Sequence, residues 1–289
     1  MKLRSLLFVP GDSERKFAKV EGCAADALIL DLEDSVAPER KAYARDHVST
    51  LLENQTTRPW SFFVRPNPLD SGMLAHDLEA VVKPGLKGLL IPKANGAHDI
   101  AVISETLDEL EQAAGMDAGT VKIAVVATET PLAMFNLGSY APAHPRLVAL
   151  TWGAEDLAAA IGATDNKEAD GNWTAPYQMA RNLCLFSAAA AEVLPVDTLY
   201  ADFRNMEGLE ADCRRARRDG FLGRIAIHPD QIDTINRCFT PSAEEVAFAQ
   251  RIVDAFAANP GAGTLGIDGK MVDIPHLKAA LKTLAALEN

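Results

Sequence analysis

Two acidic residues stand just beyond long apolar runs and could bind a metal ion together. Glu129 ends the segment Val-Lys-Ile-Ala-Val-Val-Ala-Thr-Glu, and Asp156 closely follows the segment Arg-Leu-Val-Ala-Leu-Thr-Trp. If these runs are neighbouring strands, about 4.8 Å apart, their end carboxylates can converge on one ion. Without a cation the two carboxylates would repel each other, and one would take up a proton. Because no His or Cys accompanies them, the pair favours Mg²⁺ over Zn²⁺.

A third candidate for chemistry is Arg65, which follows the apolar segment Ser-Phe-Phe-Val and precedes a proline. A guanidinium at the end of a buried strand can form a bidentate ion pair with a carboxylate, or it can donate hydrogen bonds to the oxygen of a developing enolate. An ion pair with Asp31 or Glu33 is the structural alternative. The two roles are compatible, so both remain open at this stage.

The remaining apolar runs also end in polar residues. Polar residues are expected at strand ends for solvation alone, so only their collection at one edge of a sheet indicates a site. In chain order the candidates are Asp31, Glu33, Asp34, Arg65, Asn67, Lys93, Glu129, Trp152, Gly153, Glu155, Asp156, Asp202 and His228.

Eight short apolar runs, alternating with amphipathic stretches, would position these residues. The runs are nearly continuous in Val, Ile, Leu and Ala, as is typical of strands buried on both faces. Eight strand–helix repeats predict an α/β protein with a (β/α)8 TIM barrel, whose active site is built at the carboxyl ends of the strands. An open doubly wound sheet is the alternative, although no Gly-x-Gly-x-x-Gly follows any run. The predicted strands are 3–10, 25–34, 61–67, 87–94, 121–129, 146–153, 196–203 and 223–229, within a barrel domain of residues 1–240.

Helical patterns lie between the strands, and two of them carry start signals. Ser13 is a cap residue for a helix over 13–21, and Pro38 occupies a first-turn position of a helix over 38–53. The segment 179–193 is almost wholly apolar, which indicates a buried helix or a subunit contact. The remaining predicted helices of the barrel are 99–114, 176–194, 207–219 and 229–238.

Residues 241–289 form a predicted C-terminal extension. Helices over 242–258 and near 275–287 flank the segment 259–275, which is too rich in glycine for a core and too polar for a strand. Long loops of this kind often form lids or cross to a neighbour. We therefore expect the extension to pack on a neighbouring subunit.

Composition excludes some classes of protein. The 289 residues include 28 basic and 40 acidic side chains, a net charge of −12 that argues against nucleic-acid binding. The four cysteines form no Cys-x-x-Cys pair, which is typical of reduced thiols in a cytosolic protein. The apolar run near the amino terminus is too short for a signal peptide, and no run is long enough to span a membrane. We therefore expect a cytoplasmic protein without nucleic-acid or membrane partners.

Eight motifs occur along the chain in a specific order. They are LRSLLFVPGDSERKFAKV, ALILDLEDSVAPERKAYAR, FFVRPN, LLIPKA, TET, TWGAEDLA, AIHPDQI and DGKMVDIP, spread over residues 3–285. In this order they resemble the citrate lyase β-subunit-like family of the HpcH/HpaI aldolase superfamily. That branch includes malyl-CoA and citramalyl-CoA lyases.

The resemblance implies a β/α barrel that binds Mg²⁺ through Glu129 and Asp156, with Arg65 in the active site. It further implies that an Asp of the C-terminal motif reaches the site of an adjacent subunit. Here that residue is Asp273, and Asp268 is the nearby competitor for the role. The family assembles mostly as trimers and sometimes as hexamers, so we expect a homotrimer or hexamer with shared active sites.

The resemblance also implies a coenzyme A thioester, or its acyl-carrier equivalent, as substrate. Gly153, Ala154 and the segment around His228 are expected near the substrate and the nucleotide end of coenzyme A, with no role for His228 as a base. Three cations could meet phosphates, or could equally be solvated surface charges. They are Arg15, Lys16 and Lys93.

The implied reaction is a reversible Claisen-type cleavage of a β-hydroxyacyl-CoA into acetyl-CoA and a 2-oxo acid. Arg65 would stabilise the enolate oxygen, Asp273 would exchange the proton at carbon, and Glu33 and Asp34 would hold metal-bound waters. Attack of water on the thioester would instead give a thioesterase or malate-synthase outcome. Three further functions stay open, namely a citrate lyase β subunit acting on a carrier-bound citryl thioester, an aldolase for free hydroxy acids, and a barrel that only binds.

Overall fold

The computed structural model describes residues 1–54 and 59–288. Eight parallel strands close into a barrel in sequence order, with β1 hydrogen-bonded to β8, so the predicted (β/α)8 barrel is confirmed. The strands are β1 (Ser5–Pro10), β2 (Ala27–Asp31), β3 (Ser61–Arg65), β4 (Leu86–Ile91), β5 (Lys122–Val126), β6 (Leu147–Thr151), β7 (Leu194–Asp197) and β8 (Gly223–Ala226).

Alternate residues of each strand fill the barrel interior, while their neighbours face the surrounding helices. In β2, Ala27 and Ile29 belong to the interior cluster, and Leu28 and Leu30 are just as buried on the outer face. Both faces of β2 are therefore apolar, which is why its run is continuous rather than alternating. The next inward position after Ile29 is Asp31, at the mouth of the barrel.

The helices of the barrel agree with several predicted start signals. The Ser13 side chain accepts a hydrogen bond from the main chain of Lys16 at 3.3 Å, and Pro38 begins a 3-10 turn that leads into the second helix. Three short helices were not predicted, namely the third, fifth and sixth. The helices are α1 (Glu14–Lys19), α2 (Lys41–Asn54), α3 (Leu74–Val81), α4 (Ala97–Ala113), α5 (Pro131–Asn136), α6 (Glu155–Ile161), α7 (Ala175–Ala190), α8 (Met206–Asp219) and α9 (Ile232–Phe239).

Helix α7 contains most of the apolar segment 179–193, and only one of its faces is buried. Ala180 and Cys184 lie on the buried face, whereas Met179 and Phe186 are 60% and 64% exposed. A fully buried helix is therefore wrong for this chain, and a subunit contact at the exposed face stays a prediction. The four cysteines form no disulfide bond. Within the described residues, no helix is both long and apolar enough to cross a membrane.

The ends of two strands differ from the prediction. The predicted strand 196–203 is wrong in its bounds, because β7 begins earlier and ends at Asp197, ahead of Asp202. The Asp197 carboxylate accepts a hydrogen bond from the next main-chain N–H at 2.9 Å, which turns the chain out of the sheet. Strand β8 likewise ends at Ala226, and His228 caps a 3-10 turn instead of ending the strand.

A buried ion pair lies at the start of β6, at the end of the barrel opposite the strand carboxyl ends. Arg146 and Glu111 are 2% and 0% exposed, and their side chains approach to 2.7 Å. Glu111 also accepts hydrogen bonds from the main chain of Val121 and Gly119, at 2.6 and 2.8 Å. The pair therefore ties α4 to the strands β5 and β6 and serves stability rather than chemistry.

The chain divides into two compact units, one comprising Leu3–Asn236 and the other Met1–Lys2 with Arg237–Asn289. The second unit contains α10 (Ala243–Ala258), β9 (Thr264–Ile267), β10 (Lys270–Asp273) and α11 (Ile274–Glu288). Its own small core joins residues of α10, β10 and α11, among them Ile252, Val272 and Ala280.

The interpretation of 259–275 as too polar for a strand is wrong. Strands β9 and β10 pair antiparallel across a tight turn in which Asp268 and Gly269 both have positive φ, +51° and +75°. Asp-Gly is a strong signal for this kind of turn, because both central positions need positive φ. The hairpin is short and half exposed, so the apolar run that usually marks a strand is missing.

Candidate active site

Arg65 and Asp31 form a bidentate ion pair at the mouth of the barrel. The two residues are register partners at the ends of β3 and β2, and Arg65 Nε and Nη2 lie 2.7 and 2.8 Å from the Asp31 oxygens. Burial favours the neutral carboxyl, but the hydrogen bonds and charge of Arg65 outweigh it and lower the pKa of Asp31. Arg65 Nη1 lies 3.1 Å from Glu33 Oε2, and the guanidinium stacks over the Phe8 ring at 4.6 Å. Arg65 is thus fixed before any ligand binds.

Glu129 lies just beyond β5 and is 4% exposed. Its Oε2 accepts a hydrogen bond from the main-chain N–H of Lys93 at 2.6 Å. Its other side faces Gly153, where an added Cβ would lie 2.8 Å from Glu129 Cγ and 3.1 Å from Oε1. Burial and the nearby Asp156 carboxylate raise the pKa of Glu129 to about 8. Glu129 and Asp156, which follow β5 and β6 in the sequence, are therefore close enough to interact in the fold, with Asp156 in the first turn of α6.

Lys93 lies between these carboxylates. Its Nζ forms ion pairs with Glu33, with Asp34 at 3.2 Å and with Asp156 at 3.2 Å. Burial disfavours the ammonium, but Glu33 and Asp156 outweigh it and raise the pKa of Lys93. Burial also raises the pKa of Glu33, although Arg65 and Lys93 act against it. The ammonium is therefore held within an acidic cluster, and its contact with a coenzyme A phosphate stays a prediction.

A small cavity of about 80 Å³ opens beside this cluster. Its polar wall is formed by Arg65, Glu129 and Asp156, and the predicted substrate residues Gly153 and Ala154 also line it. A cavity of this kind, apolar with a few convergent polar groups, is the usual form of a small-ligand site. The apolar wall contains Phe8, Leu90, Val126, Trp152, Trp173 and Ile225.

The donor set at the cavity fits a hard divalent cation. Glu129 and Asp156 offer oxygen ligands, and burial together with the charge of Asp156 raises the pKa of Glu129, so a divalent cation between them would favour the ionised form of Glu129. Within residues 1–54 and 59–288, no group of three or more His, Cys, Asp or Glu side chains could hold a metal. Two carboxylates completed by water and ligand oxygens are typical of Mg²⁺ sites.

The cavity lining does not include Arg15 and Lys16, the other two cations predicted to meet coenzyme A, or His228. Arg15 and Lys16 are exposed on α1, which follows β1. His228 accepts a hydrogen bond from the main chain of Asp230 at 3.3 Å, and its ring stacks on Phe203 with centroids 4.9 Å apart. These contacts fit a surface role for His228 and leave coenzyme A binding as a prediction for all three residues.

In the C-terminal unit, Asp273 ends β10 and contacts His276 through a hydrogen bond between side chains. The Asp273 carboxylate also accepts from the main-chain N–H of His276 at 3.4 Å, and His276 lowers the pKa of Asp273. Asp268 lies in the hairpin turn and pairs with Arg251 at 3.0 Å. Asp268 is thus part of the turn and of this ion pair, whereas the lowered pKa keeps the carboxylate of Asp273 ionised at the end of β10.

Sequence reasoning missed three residues that shape the site. Lys41 Nζ donates to the carbonyl oxygens of Leu32 and Glu33, each at 2.7 Å, and so holds the loop after β2. Asp197 accepts a hydrogen bond from Trp152 Nε1 at 2.6 Å and fixes that side of the cavity. The third residue, Trp173, lies in a segment without periodicity. Only the Asp197 position carried a signal, as one of two acidic residues in the predicted strand 196–203.

Curated relatives match almost the whole chain. A (3S)-malyl-CoA thioesterase of Cereibacter sphaeroides is 36% identical over 287 residues, covering 99% of this chain and 94% of the relative. Citrate lyase subunit beta of Escherichia coli is 34% identical, with 99% and 93% covered. Mitochondrial citramalyl-CoA lyase of Rattus norvegicus is 31% identical, with 96% and 83% covered.

A solved structure and a family profile agree with these relatives. The crystal structure of CitE from Mycobacterium tuberculosis, in complex with magnesium, acetoacetate and coenzyme A, has a TM-score of 0.75 and 32% identity. The match covers 99% of this chain and 98% of CitE. Residues 4–229 match the profile of HpcH/HpaI aldolase/citrate lyase. The chain therefore belongs to the HpcH/HpaI aldolase/citrate lyase family.

Proposed function

We propose that this chain is a Mg²⁺-dependent lyase that cleaves, or forms, the carbon–carbon bond of a β-hydroxyacyl-CoA such as malyl-CoA or citramalyl-CoA. The products of cleavage are acetyl-CoA and a 2-oxo acid. The observation that carries the proposal is the placement of Glu129, Asp156 and Arg65 around one small cavity at the mouth of the barrel. The lyase names of family members support the same chemistry.

Glu129 and Asp156 are the residues that would hold Mg²⁺. When bound, the ion would polarise the hydroxyl and carboxylate oxygens of the substrate. Glu33 and Asp34, both paired with Lys93, would hydrogen-bond water molecules around the ion.

Arg65 would stabilise the enolate. In the cleavage direction the hydroxyl proton passes to a general base and the carbon–carbon bond breaks. The hydroxyl-bearing carbon becomes the carbonyl carbon of the 2-oxo acid, and the electron pair of the broken bond passes to the thioester as an enolate. The fork to Asp31 leaves the Arg65 guanidinium preorganised toward the cavity, so stabilisation of the enolate oxygen requires no reorganisation. A proton added at carbon then completes acetyl-CoA.

Asp273 of a neighbouring subunit would exchange that proton. The lowered pKa of Asp273 keeps its carboxylate ionised, which is the form that can accept the proton leaving the methyl group of acetyl-CoA in the condensation direction. This role requires a homo-oligomer, and we propose a trimer or hexamer with shared sites. Arg15, Lys16 and His228 are proposed contacts of coenzyme A.

Hydrolysis of the thioester is a second candidate, favoured by the 36% identity to (3S)-malyl-CoA thioesterase over 99% of the chain. In that reaction water adds to the thioester carbonyl, the carbon–sulfur bond breaks, and coenzyme A leaves as a thiol with the free hydroxy acid. A citryl thioester on a carrier protein is the corresponding substrate if the chain acts as a citrate lyase β subunit.

The test is incubation of purified protein and Mg²⁺ with malyl-CoA and citramalyl-CoA in separate reactions. Glyoxylate and pyruvate are measured as hydrazones, and coenzyme A species by chromatography. The Glu129→Gln variant removes a proposed metal ligand, and Glu109→Gln on the exposed side of α4 is the matched control.

Oxo acid with acetyl-CoA, lost in Glu129→Gln and retained in Glu109→Gln, would support the lyase and identify its substrate. Free coenzyme A with intact malate or citramalate would support the thioesterase instead. If neither thioester is turned over while Mg²⁺ binds, the stand-alone enzyme is refuted, and carrier-linked citryl thioesters become the substrate to test.

A further inference from the structure

We propose that Lys93 is an internal counter-cation that competes with Mg²⁺ for the carboxylates of the site. The metal then binds weakly on its own and more tightly when substrate oxygens arrive with it. This inference rests on the proposed function, because it takes Glu129 and Asp156 as the metal ligands. It assigns to Lys93 a positioning role in metal binding, which is separate from contact with coenzyme A.

Lys93 touches both proposed ligands from opposite ends of the residue. Its main-chain N–H donates to Glu129 Oε2 at 2.6 Å, and its Nζ lies 3.2 Å from Asp156 Oδ1. The same ammonium pairs with Glu33 and with Asp34. A cation that reached Asp156 and Glu129 would therefore meet an ammonium that is already bound to one of them.

The backbone at Lys93 adopts a conformation that is costly for a lysine. Lys93 has a φ of +52°, in the left-handed region where glycine is the default and other residues are strained. Such strain persists where the surroundings impose it, and it clusters at functional sites. Glycine would fit this backbone with less strain, but it would leave Glu33, Asp34 and Asp156 without the ammonium.

Competition follows from the charges around Lys93. The neighbouring cation, Arg65, is already forked onto Asp31 and contacts Glu33. Asp34 and Asp156 both pair with the Lys93 ammonium. A divalent ion at Asp156 either displaces this ammonium or lies close to it and is repelled.

Substrate oxygens would change this balance. A 2-oxo acid or hydroxyacyl ligand contributes a carboxylate and a second oxygen, whose negative charge offsets the repulsion between metal and ammonium. Metal and ligand affinities are then coupled, and by linkage each raises the other by the same factor. Metal occupancy would thus follow substrate occupancy.

The test compares Mg²⁺ binding by calorimetry, without and with pyruvate, in the wild type, Lys93→Met and Lys93→Gly. Glycine adopts the positive φ of this position without strain. Lys93→Gly therefore provides a second test if Lys93→Met does not fold. The matched control is Lys87→Met, which removes the same charge from the exposed amino end of the same strand, β4. Circular dichroism establishes that each variant is folded.

We expect Mg²⁺ alone to bind about fivefold or more tightly after removal of the Lys93 ammonium, and pyruvate to enhance that binding less than in the wild type. Lys87→Met is expected to match the wild type. Tighter binding by either folded Lys93 variant supports the inference, and it is overturned if neither binds Mg²⁺ more tightly. The test measures Mg²⁺ binding and not turnover. A protein that binds Mg²⁺ as expected but lacks lyase activity would therefore contradict the proposed function without contradicting this inference.

Discussion

Substitution of Gly153 by alanine tests whether the packing around Glu129 sets metal affinity. The added methyl would lie 2.8 Å from Glu129 Cγ and 3.2 Å from Val126 Cγ1. Carbon atoms normally approach to about 3.5 Å, so Glu129 must shift by roughly 0.7 Å or the backbone must move. The hydrogen bond from Lys93 to Glu129 Oε2 at 2.6 Å opposes that shift. Gly153 is not among the glycines with positive φ, so alanine suits its backbone.

Proposed ligands must be held within about 0.5 Å of their productive position. We therefore expect Gly153→Ala to weaken Mg²⁺ binding by about ten- to hundredfold, as loss of a residue that orients a ligand does. Overpacking of this order costs about 1–3 kcal/mol, which lowers the melting temperature but leaves the barrel folded.

Calorimetric titration with Mg²⁺ measures the effect, and thermal unfolding followed by circular dichroism measures stability. The control is Gly138→Ala, in the 3-10 turn after α5, where an added Cβ meets no atom within 4 Å. We expect the control to bind Mg²⁺ like the wild type. Wild-type affinity in a folded Gly153→Ala protein would refute the reasoning, because the carboxylate would then tolerate displacement.

Three further predictions concern the guanidinium, the proton on the buried carboxyl and the ion pair at the other end of the barrel. Arg65→Lys removes the bidentate pair with Asp31. We therefore expect kcat to fall by about a hundredfold or more, with little change in melting temperature. A smaller loss of kcat would contradict a role of Arg65 at the enolate. Because the pKa of metal-free Glu129 is raised to about 8, Mg²⁺ must displace a proton there, and its association constant should rise about tenfold per pH unit between pH 6 and 7 and level off above pH 8. Calorimetry in buffers of different ionisation enthalpy checks this, and a flat pH profile without proton release would exclude it. Arg146→Met leaves Glu111 buried without its partner, so urea denaturation should show a loss of about 3–5 kcal/mol, whereas Mg²⁺ affinity stays unchanged.

The barrel could be predicted because its strands are buried on both faces. Each strand is then a short apolar run, and eight such runs separated by helical patterns leave few architectures open. Polar residues directly after those runs were sound candidates for the site, since all strand ends meet at one edge of a parallel barrel. This is how Asp31, Arg65, Glu129 and Asp156 could be found from residue order alone.

The C-terminal hairpin was missed because its sequence carries no apolar run. Strands β9 and β10 are half exposed, and their pairing depends on the turn at Asp268 and Gly269 and on packing against α10 and α11. The bounds of β7 were misjudged for a related reason. Its end is determined by Asp197, which accepts hydrogen bonds from the adjacent Thr198 N–H and from Trp152, and the contact with Trp152 is not visible in local propensity.

The sequence by itself determined the order of the barrel strands, the edge at which polar groups collect and the candidates for metal binding, whose role stays a prediction. These follow from periodicity and from residue type, which are local properties. Only the tertiary structure decided the partners of Lys93, because they depend on a positive φ just beyond β4, on Glu33 just beyond β2 and on Asp156 in the first turn of α6. The sequence shows that Lys93 carries a positive charge. The electrostatic effect of that charge depends on its distances to groups that are far away in the sequence, and the closed barrel sets those distances.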